Sequence, residues 1–332
     1  MPRPVTLVLG AAAFTGIANA QQYKLVDNFT EENFFDNFDF INQTDPTHGL
    51  VNYVAAQTAN NQRLAGYYSG GVYLGADHTN QVSSDGRPSV RVESKKTYNH
   101  GLFIGDFAHM PEGCGTWPAF WTYGINPTWP DGGEIDIIEG VNAQETNAMT
   151  LHTGAGCSVT MGDVHSGTNL TTDNCNDNEG KNGCGEHSTD TTGYGSGFNA
   201  KSGGVYAMEW TSESITVWYF PRDSIPDGVL DTDTPDTSNF GTPAAQFIGG
   251  DGCIIDDHFM NHVIVINLTL CGDWAGKVWD EDSTCTAKAS TCNEYVENNP
   301  DAFTDAYWLV NSVRTFEQTS SSKRDIPKPF TA

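Results

Sequence analysis

Three carboxylates fall within six residues of an otherwise apolar stretch, Gly132-Gly133-Glu134-Ile135-Asp136-Ile137-Ile138-Glu139-Gly140. In a β-strand successive side chains point to opposite faces, so Glu134 and Asp136 share a face while Glu139 should point the other way. A β-bulge corrects this: one extra residue, Ile137 or Ile138, kinks the strand and returns Glu139 to the face of the other two. Two carboxyl groups about 5–5.5 Å apart suit cleavage of a glycosidic bond with retention, one attacking the anomeric carbon and the other protonating the departing oxygen. The attacker must be ionised and the donor must keep its proton near working pH, so burial and neighbouring negative charge should raise the donor's pKa. Spacing alone leaves the order of these roles open. Asp136, on the same face, could supply that charge or share a hydrogen bond with the nucleophile. The plain alternative is an edge strand with solvated acids, but such strands seldom interleave their acids with Ile-Ile and Gly.

The elements that must position these acids read as all-β. The 35 glycines and 15 prolines punctuate many short apolar segments, the pattern of a sandwich or barrel, and long helical periodicity is missing. Strands are predicted at 89–94, 102–107, 120–123, 134–139, 149–152, 205–210, 215–219, 262–270 and 308–315. Two of these segments, Ser-Val-Arg-Val-Glu-Ser and Ser-Ile-Thr-Val-Trp-Tyr-Phe, alternate polar with apolar residues as half-exposed antiparallel strands do. The expected fold is a two-sheet antiparallel β-sandwich, a jelly roll with a substrate cleft on its concave face. Residues 160–202, rich in Gly, Asn, Asp, Ser and Thr, predict a long disulfide-tied loop forming a wall of that cleft, and 221–252 a second loop. No internal repeat or abrupt linker marks a second domain. The expected organisation is a leader at 1–20, one catalytic domain at 21–318 and a flexible tail at 319–332.

The leader reading rests on Arg3, an apolar run from Val5 to Ile17 and the small-x-small site Ala18-Asn19-Ala20. It is too short to span a bilayer, and no other stretch reaches the roughly 18 apolar residues that a span needs. The expectation is a secreted, extracellular monomer. A net charge of −26 repels nucleic acid and anionic membranes, so a neutral polymer is the more natural partner. Eight cysteines (Cys114, Cys157, Cys175, Cys184, Cys253, Cys271, Cys285 and Cys292) without a CxxC pair argue for disulfides rather than zinc. Eight cysteines allow 105 connectivities, and proximity hints only at Cys175 with Cys184. Glycosylation sequons occur at Asn28, Asn42, Asn169 and Asn267, the last within an apolar run. No cofactor is implied and no metal site is predicted, HExxH and EF-hand patterns being missing; Asp-rich turns leave room for a structural calcium ion.

Grooves that hold polysaccharides stack aromatic rings on the apolar faces of sugars. Trp117, Trp121 and Trp129 precede the acids, Trp274 sits in Cys271-Gly272-Asp273-Trp274-Ala275-Gly276, and Trp210, Trp218 and Trp308 read as core. Taken with Gly115-Thr116-Trp117-Pro118-Ala119-Phe120-Trp121, Phe107-Ala108-His109-Met110-Pro111 and Leu151-His152-Thr153, the acidic motif resembles the bulged signature of family 16 glycoside hydrolases. The resemblance runs from about Tyr23 to Phe316 and favours the laminarinase side of the family, secreted fungal endo-1,3(4)-β-glucanases. The licheninase and crosslinking branches carry one residue fewer before the last Glu. By that resemblance Glu134 matches the nucleophile, Glu139 the acid/base and Asp136 the assisting carboxylate. Trp121, Trp129 and Trp274 match residues lining the sugar cleft, His152 a histidine near the nucleophile's subsite, and Trp117 is open between cleft and core. The implied substrate is a β-glucan with β-1,3 linkages and, in mixed-linkage chains, β-1,4 linkages. A wall-remodelling transglycosylase and a non-catalytic glucan-binding protein are the alternatives.

Overall fold

The computed structural model describes residues 22–168, 170–177 and 183–319, so the predicted leader, the Asn169 sequon and the tail beyond residue 319 lie outside the described residues. Two large antiparallel sheets pack face to face as a sandwich. One orders its strands as Thr160–Met161, Ala245–Ile248, Ser214–Pro221, Gly204–Trp210, Gly101–His109, Tyr307–Gln318, Gly71–Gly75 and Ala65–Tyr68, with Tyr23–Phe29 also paired to Tyr307–Gln318. The other orders them as Cys184–His187, Ala148–His152, Glu134–Glu139, Thr116–Gly124, His262–Leu270, Arg91–Ser94 and Phe38–Phe40. Eight of the nine predicted strands are present, most with longer bounds; the ninth, 89–94, is broken at Val90 into Arg87–Ser89, paired with Val51–Tyr53, and Arg91–Ser94 in the acid-bearing sheet.

Pleating explains the division of faces. Along Thr116–Gly124, Phe120 and Thr122 point inward and are buried, while Trp117, Ala119, Trp121 and Tyr123 point outward onto one groove. Ile135, Ile137, Ile138, Ile264 and Ile266 meet Phe103, Phe107, Met208, Trp210 and Trp308 from the opposite sheet in the central core. Trp210, Trp218 and Trp308 are buried, as their alternating strands require.

The two long loops turn out differently from expectation. Residues 160–202 contain a strand, Cys184–His187, that extends the catalytic sheet by pairing with Ala148–His152, and a short helix, Gly195–Ala200. Polar composition hid this strand, because its partner supplies the order that its own sequence does not. The 221–252 stretch contributes the strand Ala245–Ile248 and lays Val229 and Phe240 over the outer face of the other sheet, against Leu102, Ile104, Trp218 and Phe220.

All eight cysteines are paired: Cys114–Cys285, Cys157–Cys253, Cys175–Cys184 and Cys271–Cys292. The local clip was foreseeable; the others join segments 21 to 171 residues apart. Two of them sit in a satellite core with Trp279, Tyr295 and Phe303, fastening the irregular 271–303 segment under the sheet that carries the acids. Among the described residues no helix is long and apolar enough to cross a membrane.

Candidate active site

The acidic strand is bulged where its spacing requires. Against Thr116–Gly124, Asp136 pairs with Trp121, Ile138 with Phe120 and Glu139 with Ala119, so Ile137 is the extra residue. A bulge frees backbone groups that need partners. Asn147, fully buried, supplies both: its Oδ1 accepts from the Glu139 amide at 2.9 Å and its Nδ2 donates to the Ile137 carbonyl at 2.8 Å. Sequence reasoning passed over Asn147, which no motif marks. The entry to the strand is fixed as well. Gly133 has φ 79°, and a Cβ there would lie 2.4 Å from the His258 carbonyl oxygen, so only glycine fits. His262, buried on the neighbouring strand, bridges Thr122 Oγ1 and the Gly132 carbonyl, and burial pulls its pKa down to about 3, leaving a neutral imidazole.

Glu134, Asp136 and Glu139 therefore open onto a single cleft of ≈ 490 Å³. Trp129 Nε1 donates to Glu134 Oε2 at 2.6 Å, and Trp117 Nε1 donates to Glu139 Oε1 at 2.8 Å, so each glutamate is oriented by its own indole. This places Trp117 in the cleft. The Trp274 ring packs edge-on against Trp117 at 5.7 Å and supports that indole. Trp121 lies on the floor, its Nε1 donating to Asn267 Oδ1 at 2.7 Å and its ring under the Arg91 guanidinium at 4.9 Å. Trp129 is 47% exposed at the cleft mouth, a ring presented to whatever enters.

His152 pairs directly with Glu134, so its side chain stands on the same face beside the acids, with Nε2 3.3 Å from Asp136 Oδ2 and Nδ1 3.5 Å from Asp177 Oδ2. Burial disfavours its charge, but the Asp136 and Asp177 carboxylates facing its two nitrogens and the field of Glu134 raise its pKa well above the ordinary value. Among the described residues the 160–202 segment approaches the acids through Asp177, beside His152, and through Tyr194, near Glu139, and supplies none of the residues lining the cleft; residues 41–47 line it instead. Pairing of Cys184–His187 draws that segment past the end of the groove.

Burial pushes all three carboxyls up, and their mutual repulsion adds to it. Glu139 rises to about 7, through burial and the Glu134 charge, opposed by the Trp117 bond and His152. Glu134 and Asp136 are both raised, by burial first and each by a neighbouring acid second. His152 and Trp129 pull Glu134 back toward ionisation.

Among the described residues the one grouping of His, Cys, Asp or Glu close enough to share an ion is Glu134, Asp136 and His152, with atoms within 4.8 Å. It is not the Asp-rich turn anticipated for calcium: it offers a nitrogen, where calcium takes oxygens, and His152 Nε2 already lies 3.3 Å from Asp136 Oδ2. Asn28 and Asn42 are exposed. Asn267 is a correction: it is 7% exposed on the cleft floor, and its Nδ2, the atom that would bear a glycan, donates to Tyr53 Oη at 3.0 Å.

Residues 38–316 match the family model described as an XgeA-like, catalytic GH16 domain. An endo-1,3(4)-beta-glucanase of Arthroderma benhamiae is 45% identical over 318 residues, covering 94% of this chain and 68% of that protein. An endo-1,3(4)-beta-glucanase of Emericella nidulans is 41% identical, covering 96% of this chain and 51% of its own length, so the chain spans about half to two thirds of such relatives. Laminarinase 16A of Phanerochaete chrysosporium, solved with 6-O-glucosyl-laminaritriose in its donor and acceptor sites, superimposes with a TM-score of 0.82 at 44% identity, over 89% of this chain and all of that one. An elongating family 16 β-1,3-glucosyltransferase superimposes at 0.81 with 43% identity, over the same shares. The two-glutamate bulge, the indoles that orient it and these likenesses agree: the chain belongs to glycoside hydrolase family 16, in its XgeA-like catalytic group.

Proposed function

We propose that the protein is a retaining endo-β-glucanase that hydrolyses β-1,3 bonds, and β-1,4 bonds in mixed-linkage glucans, through a covalent glucosyl-enzyme. The observation that carries this reading is the Ile137 bulge, which puts Glu134 and Glu139 on one cleft wall with an indole donor on each. Glu139 enters as the acid: raised to about 7 by burial, it carries its proton in mildly acidic medium. Glu134 attacks. The Glu134 carboxylate, whose ionised form His152 and the Trp129 indole favour, forms the bond to the anomeric carbon while Glu139 protonates the leaving oxygen. Deprotonated Glu139 then takes a proton from the water that releases the sugar. Trp129 and Trp121 offer ring faces to the chain.

Azide separates the two roles. Glu134→Ala with azide should yield α-glycosyl azide, and Glu139→Ala the β-anomer; exchanged products would overturn the assignment, and no reducing ends from laminarin at high loading would favour a non-catalytic glucan binder. The likeness to an elongating glucosyltransferase supports a second reading, in which a sugar hydroxyl intercepts the intermediate. Products longer than the starting oligosaccharide would establish it. We further propose that the protein acts outside the cell as a monomer, a reading that four disulfides support.

A further inference from the structure

We propose that a tyrosine-lined groove on the outer face of the other sheet is a second binding site for β-glucan. This rests on the glucan reading above. The groove, of ≈ 540 Å³, lies where the strands Ala65–Tyr68, Gly71–Gly75 and Tyr307–Gln318 run side by side. The inward side chains of the middle strand, Val72 and Leu74, are fully buried in the core, so Tyr73 between them faces outward. Pairing brings Gly66 opposite Tyr73 and Tyr307 opposite Gly75, which sets the rings in one row across the sheet. Tyr68 meets Tyr73 edge-on at 6.5 Å, Tyr73 stacks with Tyr307 at 5.1 Å, and His109 on the next strand stacks with Tyr307 at 3.9 Å.

Elsewhere this outer face is covered: Val229 and Phe240 of the 221–252 segment lie over Leu102, Ile104 and Phe220. Among the described residues the tyrosine end has no such cover, and Tyr67 and Tyr68 are 56% and 62% exposed. Gly66 leaves the floor clear, since a Cβ there would meet no atom within 4 Å. On a chain with net charge −26, none of the groove's lining residues is a carboxylate, and Arg63 and Asn60 stand beside the rings as hydroxyl-binding donors. Ring faces flanked by a few hydrogen-bonding groups, with one arginine as the lining cation and no carboxylate, fit a neutral pyranose chain. The catalytic cleft opens on the opposite sheet. A chain bound here is therefore a different strand, or a distant stretch, of the glucan being cut, and the site would hold the enzyme on an insoluble particle by bivalency.

The test uses Tyr67→Ala/Tyr68→Ala, and separately Gly66→Glu, which fills and charges the groove without a steric clash at Cβ. Retention on insoluble β-1,3-glucan is measured in a Glu134→Gln background so that the polymer is not consumed. Each change should weaken retention about tenfold, with hydrolysis of the insoluble polymer falling in step in the active enzyme, while kcat/KM on soluble laminaripentaose stays level. Equal retention by the parent and by folded Gly66→Glu overturns the second site and leaves the activity intact. Should the double variant fail to fold, Gly66→Glu alone decides. A parent that cuts neither substrate would instead refute the glucanase reading, which this outcome distinguishes.

Discussion

Replacing Asn147 by Ala removes the one side chain that satisfies both backbone groups released by the bulge, the Glu139 amide and the Ile137 carbonyl. Asn147 is fully buried, so neither group gains water in exchange. Leaving a buried donor or acceptor unpaired costs about 1–3 kcal/mol, which for two groups makes about 2–6 kcal/mol. For a chain of this size that lowers Tm by roughly 3–9 °C. The functional loss should exceed what stability explains, because the amide that drifts belongs to the proposed acid, and a displacement of about 1 Å at a reacting group costs on the order of a hundredfold in rate. Calorimetry and kcat on laminarin, measured well below Tm, separate the two effects. Asn147→Asp is the informative companion: it keeps an acceptor for the Glu139 amide, loses the donor to Ile137 and sets another negative charge near the acids. It should be intermediate in kcat and push the Glu139 ionisation higher. An Asn147→Ala enzyme with Tm within about 1 °C and kcat within about twofold of the parent would show that the strand holds its irregularity unaided, and would refute the bracing argument.

Trp117→Phe keeps a ring against Trp274 but removes the hydrogen bond that lowers the Glu139 pKa. A bond to a charged group is worth about 1.5–3 kcal/mol, so the alkaline limb of kcat/KM should move up by about 1–2 pH units; a limb that stays or moves down would sink this assignment. Stability should fall as pH rises from about 5 to 8: Glu139 and Glu186, both lifted from 4.5 to about 7 by burial, bind protons more tightly folded than unfolded. Neutral His262 opposes this below about pH 6.5, so the decline should be steepest above it, and a Tm that climbs through this window contradicts the shifts. Opening Cys114–Cys285 with paired alanines should cost about 5 kcal/mol against about 3 for Cys175–Cys184, because the first closes a span of 171 residues and the second one of 9; equal losses in denaturant titrations would argue against a loop-entropy origin.

The acids, the bulge and the short local disulfide were legible because each is written within ten residues. Glu134, Asp136 and Glu139 announce a strand whose alternation fails by one position, and only a bulge reconciles it. What escaped was nonlocal. Asn147 is a lone polar residue whose meaning lies in two backbone atoms of another strand, and His262 lies 130 residues from the glycine carbonyl it bridges. The strand Cys184–His187 has no apolar alternation of its own and is ordered by its neighbour. His152 and Trp274 could be named only through the resemblance, because what they touch is set elsewhere in the fold: cross-strand pairing puts the first beside Glu134 and Asp136, and ring packing sets the second against Trp117. The Asn267 sequon satisfied its pattern but fell on an outward position of a central strand, which here is the floor of a groove.

The place of Ile137 outside the pairing has an evolutionary corollary. Five positions separate the two glutamates, an odd interval; excising residue 137 would make it even, and an ordinary pleat would then present both on the same side with no distortion. Ile138 and Glu139 already pair with Phe120 and Ala119, so the ladder on either flank would survive the excision. A single codon gained or lost thus toggles between two backbones of equal parity for the reacting groups, and Asn147 becomes dispensable in the shorter one. Such a strand can accept a frame-preserving insertion or deletion in the middle of its reactive motif, where most enzymes tolerate none.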